Sequence, residues 1–177
     1  MDYYRLRQDR SKSYFPEFRM NHLQFMRKDV VLEKANTIAN IIPLSISNGS
    51  KVEYIDMLDI QLILFSEKLM DDIYRYERDI ISKDVPLIHY KTLRVTLYKL
   101  PIFRYVKCKQ SRSQQNILTL ESNILPKTDI FRTQNMNIDY IIASDKIVDS
   151  IDWNKYSGII VEKAKLILDK DGENSGT

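Results

Sequence analysis

Glycine is scarce in this 177-residue chain, and its scarcity excludes the best-known phosphate-binding loops. In such loops the backbone approaches the anion closely, so several glycines are needed at short spacing. The four glycines here are scattered over positions 49, 158, 172 and 176. The sequence therefore argues against a P-loop enzyme and against a dinucleotide-binding enzyme.

Cysteine and histidine are also rare. The single cysteine, Cys108, rules out an internal disulfide and indicates a reducing compartment. His22 and His89 do not have the spacing of a zinc site relative to this cysteine. A Cys–His nucleophilic pair could still form in space, although a cysteine between two lysines is more typical of a strand-edge thiol. We therefore expect no catalytic residue, no metal and no cofactor.

Long apolar runs are missing as well. No window approaches the length that spans a membrane, and the first seven residues (MDYYRLR) contain no apolar signal region, so we expect a cytoplasmic protein. A net charge of +3 is too small to indicate nucleic acid or a membrane surface by itself. We expect one globular domain over residues 1–168 and a disordered polar tail over residues 169–177.

Two stretches of the chain share one pattern at an offset of 78 residues. Residues 64–73 read LFSEKLMDDI and residues 142–151 read IASDKIVDSI. In each stretch a serine follows an apolar run, and its oxygen can accept an N–H of a first helical turn. The pattern predicts two strand–helix units with Ser66 and Ser144 as helix caps. Gly158 is expected to end the second helix, because glycine readily adopts the left-handed conformation. The sequence leaves open whether the echo is a true internal repeat.

Apolar periodicity predicts the remaining elements. Residues 29–43 have helical spacing and are expected to form a helix, although their paired valines and isoleucines are also compatible with a strand. The first capped helix is expected to extend to about residue 81. Residues 93–98 alternate between apolar and polar types, as a half-buried strand does. Pro101 is expected to end this strand, and residues 102–106 are expected to form the next one. A turn is expected around Asn48 and Gly49. Further short strands are expected at residues 3–6, 117–120, 129–132 and 138–143, and from residue 159.

Strand candidates cluster together, and too few helices alternate with them for a doubly wound sheet. The predicted fold is therefore a single α+β domain with a mostly antiparallel sheet and a few short Ser-capped helices.

One charge feature is unusual. No acidic residue occurs from Val85 to Leu120, whereas seven basic residues do, with four aromatic residues among them. Cations among aromatic rings are typical of a surface that binds single-stranded nucleic acid. The other interpretations are a strand region with buried rings and solvated lysines, and a surface for an acidic protein partner.

The order of these features resembles the Imm11 family, also known as DUF1629, of bacterial immunity proteins from polymorphic toxin systems. The resemblance covers residues 1–168, best from residue 54 onward, whereas residues 21–50 match nothing and Ile159 stands where the family often has an aromatic residue. The matching features are the FSEKL run from Phe65, the strand Ile130-Phe131-Arg132, the Ser144-Asp145-Lys146 helix start, and the Ser157-Gly158 turn into a last strand.

The resemblance implies an intracellular protein that binds and neutralises a cognate toxin domain without catalysis. The acid-free run then predicts the partner-binding surface, since a partner interface needs aromatic or arginine anchors and complementary charge. The predicted contacts are Arg104, Tyr105, Lys107, Lys109 and Arg112. The alternative function is a nucleic-acid-binding module that uses residues 90–112.

Overall fold

The computed structural model describes residues 1–19, 23, 25, 27–47, 51–109, 117–121 and 125–169. These residues form two five-stranded sheets and two short α-helices, which confirms the predicted α+β domain with mostly antiparallel strands. In chain order the elements are β1 (Tyr3–Gln8), β2 (Leu44–Ser45), β3 (Met57–Leu58), β4 (Leu64–Ser66), α1 (Glu67–Tyr74), β5 (Ile81–His89), β6 (Arg94–Ile102), β7 (Ile117–Leu120), β8 (Ile130–Asn135), β9 (Ile138–Ser144), α2 (Asp145–Ser150) and β10 (Ile159–Leu168). Short 3₁₀ turns cover Arg27–Asp29, Leu32–Thr37 and Trp153–Lys155.

The two sheets have the same strand arrangement. The first has the order β3-β4-β6-β5-β2 and the second the order β8-β9-β1-β10-β7. In both, the first four strands are antiparallel to their neighbours and the last pair is parallel. Each strand of one sheet therefore has a counterpart in the other sheet.

The N-terminal strand completes the second arrangement. We call β2 to β6 with α1 the first unit, and β7 to β10 with α2 and β1 the second unit. The chain order strand, strand, strand, helix, strand holds in both units, but β1 comes from the start of the chain and takes the place that β6 has in the first unit. The register agrees, because Ser66 pairs with Tyr98 and Ser144 pairs with Tyr3.

An aspartate lies opposite the repeated serine of the first unit. The N–H of Ser66 donates to the backbone oxygen of Asp56 at 2.8 Å, and its hydroxyl donates to the Asp56 carboxylate at 2.6 Å. Lys68, two residues later, lies 3.3 Å from the same carboxylate. We call Asp56, Ser66 and Lys68 the Asp56 cluster.

The second unit has the same cluster. The N–H of Ser144 donates to the backbone oxygen of Asp129 at 2.8 Å, its hydroxyl donates to the carboxylate at 3.0 Å, and Lys146 lies 2.5 Å from that carboxylate. We call these three residues the Asp129 cluster. Because topology, register and side-chain contacts all agree, the echo between residues 64–73 and 142–151 marks a structural repeat.

Each cluster also contacts the loop that follows the helix of the other unit. The N–H of Ser157, after α2, donates to the Asp56 carboxylate at 2.7 Å, and the N–H of Asp56 donates to the Ser157 oxygen at 2.8 Å. Reciprocally, the N–H of Asp129 donates to the carboxylate of Glu77, after α1, at 2.8 Å. The two units therefore hold one another through matching contacts.

Two tyrosines make a second reciprocal pair of contacts. The Tyr156 hydroxyl donates to the carboxylate of Asp72 in α1 at 2.5 Å, and the Tyr76 hydroxyl donates to the backbone oxygen of Ser150 in α2 at 3.0 Å. Lys155 and Tyr156 hold the pKa of the Asp72 carboxyl below its usual range. Both helices also pack into one core built from Phe65, Leu69, Met70, Ile73, Ala143, Ile147 and Ile151.

The predicted helix over residues 29–43 is wrong. The segment forms 3₁₀ turns and then extends along β5, where the N–H of Ile42 donates to the oxygen of Asp84 at 2.8 Å and the N–H of Asp84 donates to the oxygen of Asn40 at 2.8 Å. The β-branched residues at its ends favour extended backbone, and the unpaired groups of β5 supply partners. Tertiary pairing therefore overrides the helical spacing.

Two boundaries in the middle of the chain also differ from prediction. Helix α1 ends at Tyr74 rather than near residue 81. The strand that follows, β5, was not predicted, because Lys83 and Pro86 interrupt its apolar alternation. Strand β6 continues through Pro101 to Ile102. Its neighbour β4 pairs only with Tyr98 and Lys99, so Pro101 lies where β6 has a described strand on one side only, a position that tolerates a missing N–H.

The predicted caps have different outcomes. The Ser66 oxygen accepts the N–H of Leu69 at 3.3 Å, which confirms it as the cap of α1. Ser144 holds the equivalent position, but its oxygen accepts no N–H of α2, and the Asp145 carboxylate accepts the Lys146 N–H at 2.9 Å instead.

Gly158 adopts the expected left-handed conformation with φ of +71°, but it does not end α2, which stops at Ser150. A Cβ at this position would lie 2.5 Å from the Cβ of Ile55. Gly158 is therefore required for the close approach between the loop before β10 and the segment before β3.

Candidate functional site

The predicted contacts that the structure describes lie on one segment, residues 104–109, which we call the basic segment. It lies against the outer strands of the second sheet. Beside β8, the N–H of Val106 donates to the Arg132 oxygen at 2.8 Å and the N–H of Arg132 donates to the Arg104 oxygen at 2.9 Å. Beside β7, the N–H of Lys109 donates to the Thr119 oxygen at 2.8 Å. The backbone of the basic segment is therefore fixed at both sheet edges.

The side chains of this segment divide between solvent and core. Arg104, Lys107 and Lys109 are exposed, whereas Cys108 is buried. Lys109 pairs with Asp169 at 2.6 Å, and among the described residues neither Arg104 nor Lys107 has an ion-pair partner. Two unneutralised cations are thus presented on a fixed backbone.

Arg104 also borders a cavity of about 260 Å³ between the two units. Lys127 lines the same cavity, together with the carboxylates of Glu77 and Asp79. Glu77 is already engaged by Asp129, as described above, and by the Thr128 hydroxyl at 3.0 Å. The cavity therefore carries charge of both signs.

A buried charge network lies next to the strand region that pairs with the basic segment. Arg132 is 4% exposed, and its guanidinium donates to the Asp139 carboxylate at 2.8 Å and to the Val30 oxygen at 2.9 Å. Arg27 forms a second ion pair with Asp139. These contacts hold the segment around residues 27–30 against β8, next to the backbone that positions Arg104. The sequence offered no spacing that signalled this network, because its members come from three separate stretches.

The aromatic residues of the acid-free run do not form one surface. Tyr98 and Phe103 are buried, which agrees with the interpretation that places them in the core. Tyr90 and Tyr105 are exposed but precede and follow β6, so they lie at opposite ends of that strand. Burial raises the pKa of the Tyr105 phenol. The described residues therefore present cations without a continuous row of stacking rings.

The candidate nucleophile and its possible partner are in different parts of the fold. Cys108 packs in a core of the second unit, and burial raises the pKa of its thiol, which favours the less reactive protonated form. His89 ends β5 in the first sheet, where its Nδ1 accepts the N–H of Thr92 at 3.1 Å. No group of three or more potential metal ligands occurs among the described residues.

Several predictions fall on residues outside the described ranges. They are the candidate contact Arg112, His22, the turn at Asn48 and Gly49, and all of the predicted tail except Asp169. Within the described part of the chain, no helix is long and apolar enough to cross a membrane.

No protein-family model matches the chain, and no curated protein matches it in sequence. The resemblance to the Imm11 family therefore stays a prediction from the residues named above.

Proposed function

We propose that this chain is a cytoplasmic immunity protein that binds a cognate bacterial toxin domain and neutralises it without catalysis. The observation that carries the proposal is the pair of exposed cations, Arg104 and Lys107, on a segment whose backbone is hydrogen-bonded at both sheet edges. A surface that is already ordered loses little conformational entropy on binding, so more of the contact energy appears as affinity.

The ordered set of features shared with the Imm11 family supports a toxin as the partner. Charge supports an acidic contact surface on that toxin, because the basic segment lies within a run of 36 residues without a carboxylate, from Val85 to Leu120. Opposite charges accelerate the encounter of two proteins more than they tighten the final complex. The proposed role of Arg104 and Lys107 is therefore fast capture, with Tyr105 contributing a partly exposed ring.

The test is co-expression with the protein encoded next to this chain in its genome, followed by co-elution on a sizing column and measurement of association rates. We expect growth rescue and a stable complex. The double variant R104E/K107E should slow association about tenfold or more at low salt, and the difference should shrink as salt rises.

A matched control is the double variant R19E/K165E, which changes the same residue types at exposed positions elsewhere. Its association rate should stay within about threefold of the wild-type rate, a small effect of the changed net charge. Toxicity without rescue and without a complex would contradict the proposed function. Salt-sensitive binding of a single-stranded oligonucleotide by the wild-type chain, with no toxin complex, would favour the nucleic-acid alternative.

A further inference from the structure

The hairpin of β5 and β6 ends in an apolar tip that faces solvent. Tyr90 is 66% exposed, Leu93 is 86% exposed and Val95 is 61% exposed. Single exposed apolar residues are normal on a protein surface, but three within six residues concentrate exposed apolar surface at the end of one hairpin, and concentrated apolar surface marks interaction sites. We call Tyr90, Leu93 and Val95, with Lys91 and Arg94 between them, the hairpin tip.

The backbone of Leu93 is in an unusual conformation. Its φ is +54°, a left-handed value that brings Cβ close to the following carbonyl oxygen, and leucine rarely adopts it. Only glycine, which has no Cβ, would fit this turn position without that crowding, and the leucine side chain gains no burial in return. Strained residues of this kind concentrate at functional sites.

The turn that carries Leu93 is held by a buried side chain. The N–H of Thr92 donates to the backbone oxygen of His89 at 3.2 Å and to its Nδ1 at 3.1 Å. His89 is only 2% exposed, and nine residue pairs of β5 and β6 support the hairpin behind it. The hairpin tip is therefore a pre-organised projection.

The charges of the hairpin tip have one sign. Among the described residues, neither Lys91 nor Arg94 pairs with a carboxylate, and the Arg94 guanidinium lies 4.2 Å from the centre of the Tyr54 ring. The tip belongs to the same acid-free run as the basic segment, at the other end of β6. A complementary surface would be an apolar pocket with an acidic rim.

We propose that the hairpin tip inserts into such an acidic-rimmed apolar pocket on the partner protein and is the main anchor of the complex. This inference rests on the proposed function and deepens it. The basic segment presents charge but only one partly exposed ring, whereas the centre of a tight interface needs desolvated aromatic or aliphatic anchors. In this arrangement the basic segment sets the association rate and the hairpin tip sets the dissociation rate.

The test compares Leu93→Gly and Tyr90→Ala with wild type for binding to the protein encoded next to this chain in its genome. Glycine at position 93 removes the anchor and also relieves the left-handed strain, so its thermal midpoint should equal or exceed that of wild type. The expected result for each variant is a complex weakened about 30-fold or more, mainly through faster dissociation.

Met136→Gly is the matched control. Met136 lies at the tip of the β8–β9 hairpin in the second unit, with φ of +49° and 43% exposure. Glycine at position 136 should leave the affinity within about twofold of wild type, since surface changes outside an interface have small effects.

The outcomes separate the two proposals. If wild type forms no complex with the toxin domain, the proposed function fails and this inference fails with it. If wild type binds but both Leu93→Gly and Tyr90→Ala bind equally well, the hairpin tip is not the anchor and the proposed function survives. Equal weakening by Met136→Gly would also overturn the assignment, because the effect would not be specific to the hairpin tip.

Discussion

The Asp56 cluster and the Asp129 cluster contain the same three residue types in the same arrangement, yet they differ in burial and in the helix that follows. The side chain of Asp56 is 6% exposed and that of Asp129 is 18% exposed. Ser66 both donates to its aspartate and caps an eight-residue helix, whereas Ser144 only donates, and its helix has six residues.

The difference teaches that equivalent strand pairing sets the aspartate–serine–lysine contact in both units, because β3 pairs with β4 and β8 pairs with β9, while the surroundings set its energetic weight. Asp56 additionally accepts the backbone N–H and the hydroxyl of Ser157 from the other unit, at 2.7 and 3.2 Å. The corresponding link at Asp129 uses its backbone N–H and leaves its carboxylate to Ser144 and Lys146. Both clusters therefore join the two units, but only the Asp56 carboxylate itself accepts hydrogen bonds from the other unit.

Gly158→Ala should have the largest effect, because it breaks the contact between the units at Ile55. Alanine would have to keep a left-handed φ, and its Cβ would overlap the Ile55 side chain. We expect a loss of about 4 kcal/mol in the free energy of unfolding. Urea unfolding of the variant measures this loss.

A double-mutant cycle sharpens the assignment. In an Ile55→Ala background the overlap is removed, so Gly158→Ala should cost only about 1–2 kcal/mol, the backbone part of the effect. An equal cost in both backgrounds would show that Ile55 is not the reason for glycine at this position. In the first unit the residue before β5 is Ile80, so no glycine is needed there.

Asp56→Ala and Asp129→Ala compare the clusters directly. Loss of the Asp56 carboxylate leaves the Ser157 N–H and the Ser66 hydroxyl without their acceptor, and we expect about 3 kcal/mol of destabilisation. Asp129 is more exposed, and water can replace its carboxylate, so about 1 kcal/mol is expected. Chemical denaturation of the two variants under identical conditions measures the two losses in the free energy of unfolding. Similar losses would refute the unequal roles of the clusters.

Ser66→Ala and Ser144→Ala should show the smallest difference. Ser66 loses both a helix cap and the hydrogen bond to Asp56, for about 1.5 kcal/mol. Ser144 loses only the hydrogen bond to Asp129, for about 0.5 kcal/mol. Thermal melts resolve a gap of this size. Partner binding should be unchanged in both variants, since neither serine belongs to the basic segment or to the hairpin tip.

Much of the fold could be predicted from local patterns. The alternation that predicted strands at residues 117–120, 129–132 and 138–143 corresponds to β7, β8 and β9, and the serine signal placed the starts of both helices. The prediction failed where partners distant in the chain decided the backbone, as at residues 40–42 beside β5. Strand β5 was not predicted because the polar residue Lys83 lies on its buried face and Pro86 interrupts the apolar alternation.

The candidate site was less predictable. The acid-free run identified Arg104, Tyr105 and Lys107 as candidates, because charge is a property of the residues themselves. Its aromatic residues could not be sorted, since Tyr98 is buried and Tyr90 is exposed for reasons of tertiary packing. Nor could any pattern reveal that Arg132 and Asp139 form a buried pair with Arg27 beneath the basic segment.

Residue patterns alone were enough to establish the α+β class, the two strand–serine–helix stretches and the sign of the charge on the candidate surface. These depend on neighbours within about ten residues, where spacing and side-chain chemistry act directly. Only the tertiary structure decided that β1 completes the second unit, that Asp56 joins the two units and that Leu93 faces solvent. Those outcomes depend on contacts between residues far apart in the chain, and their energies are set by burial, which no local pattern specifies.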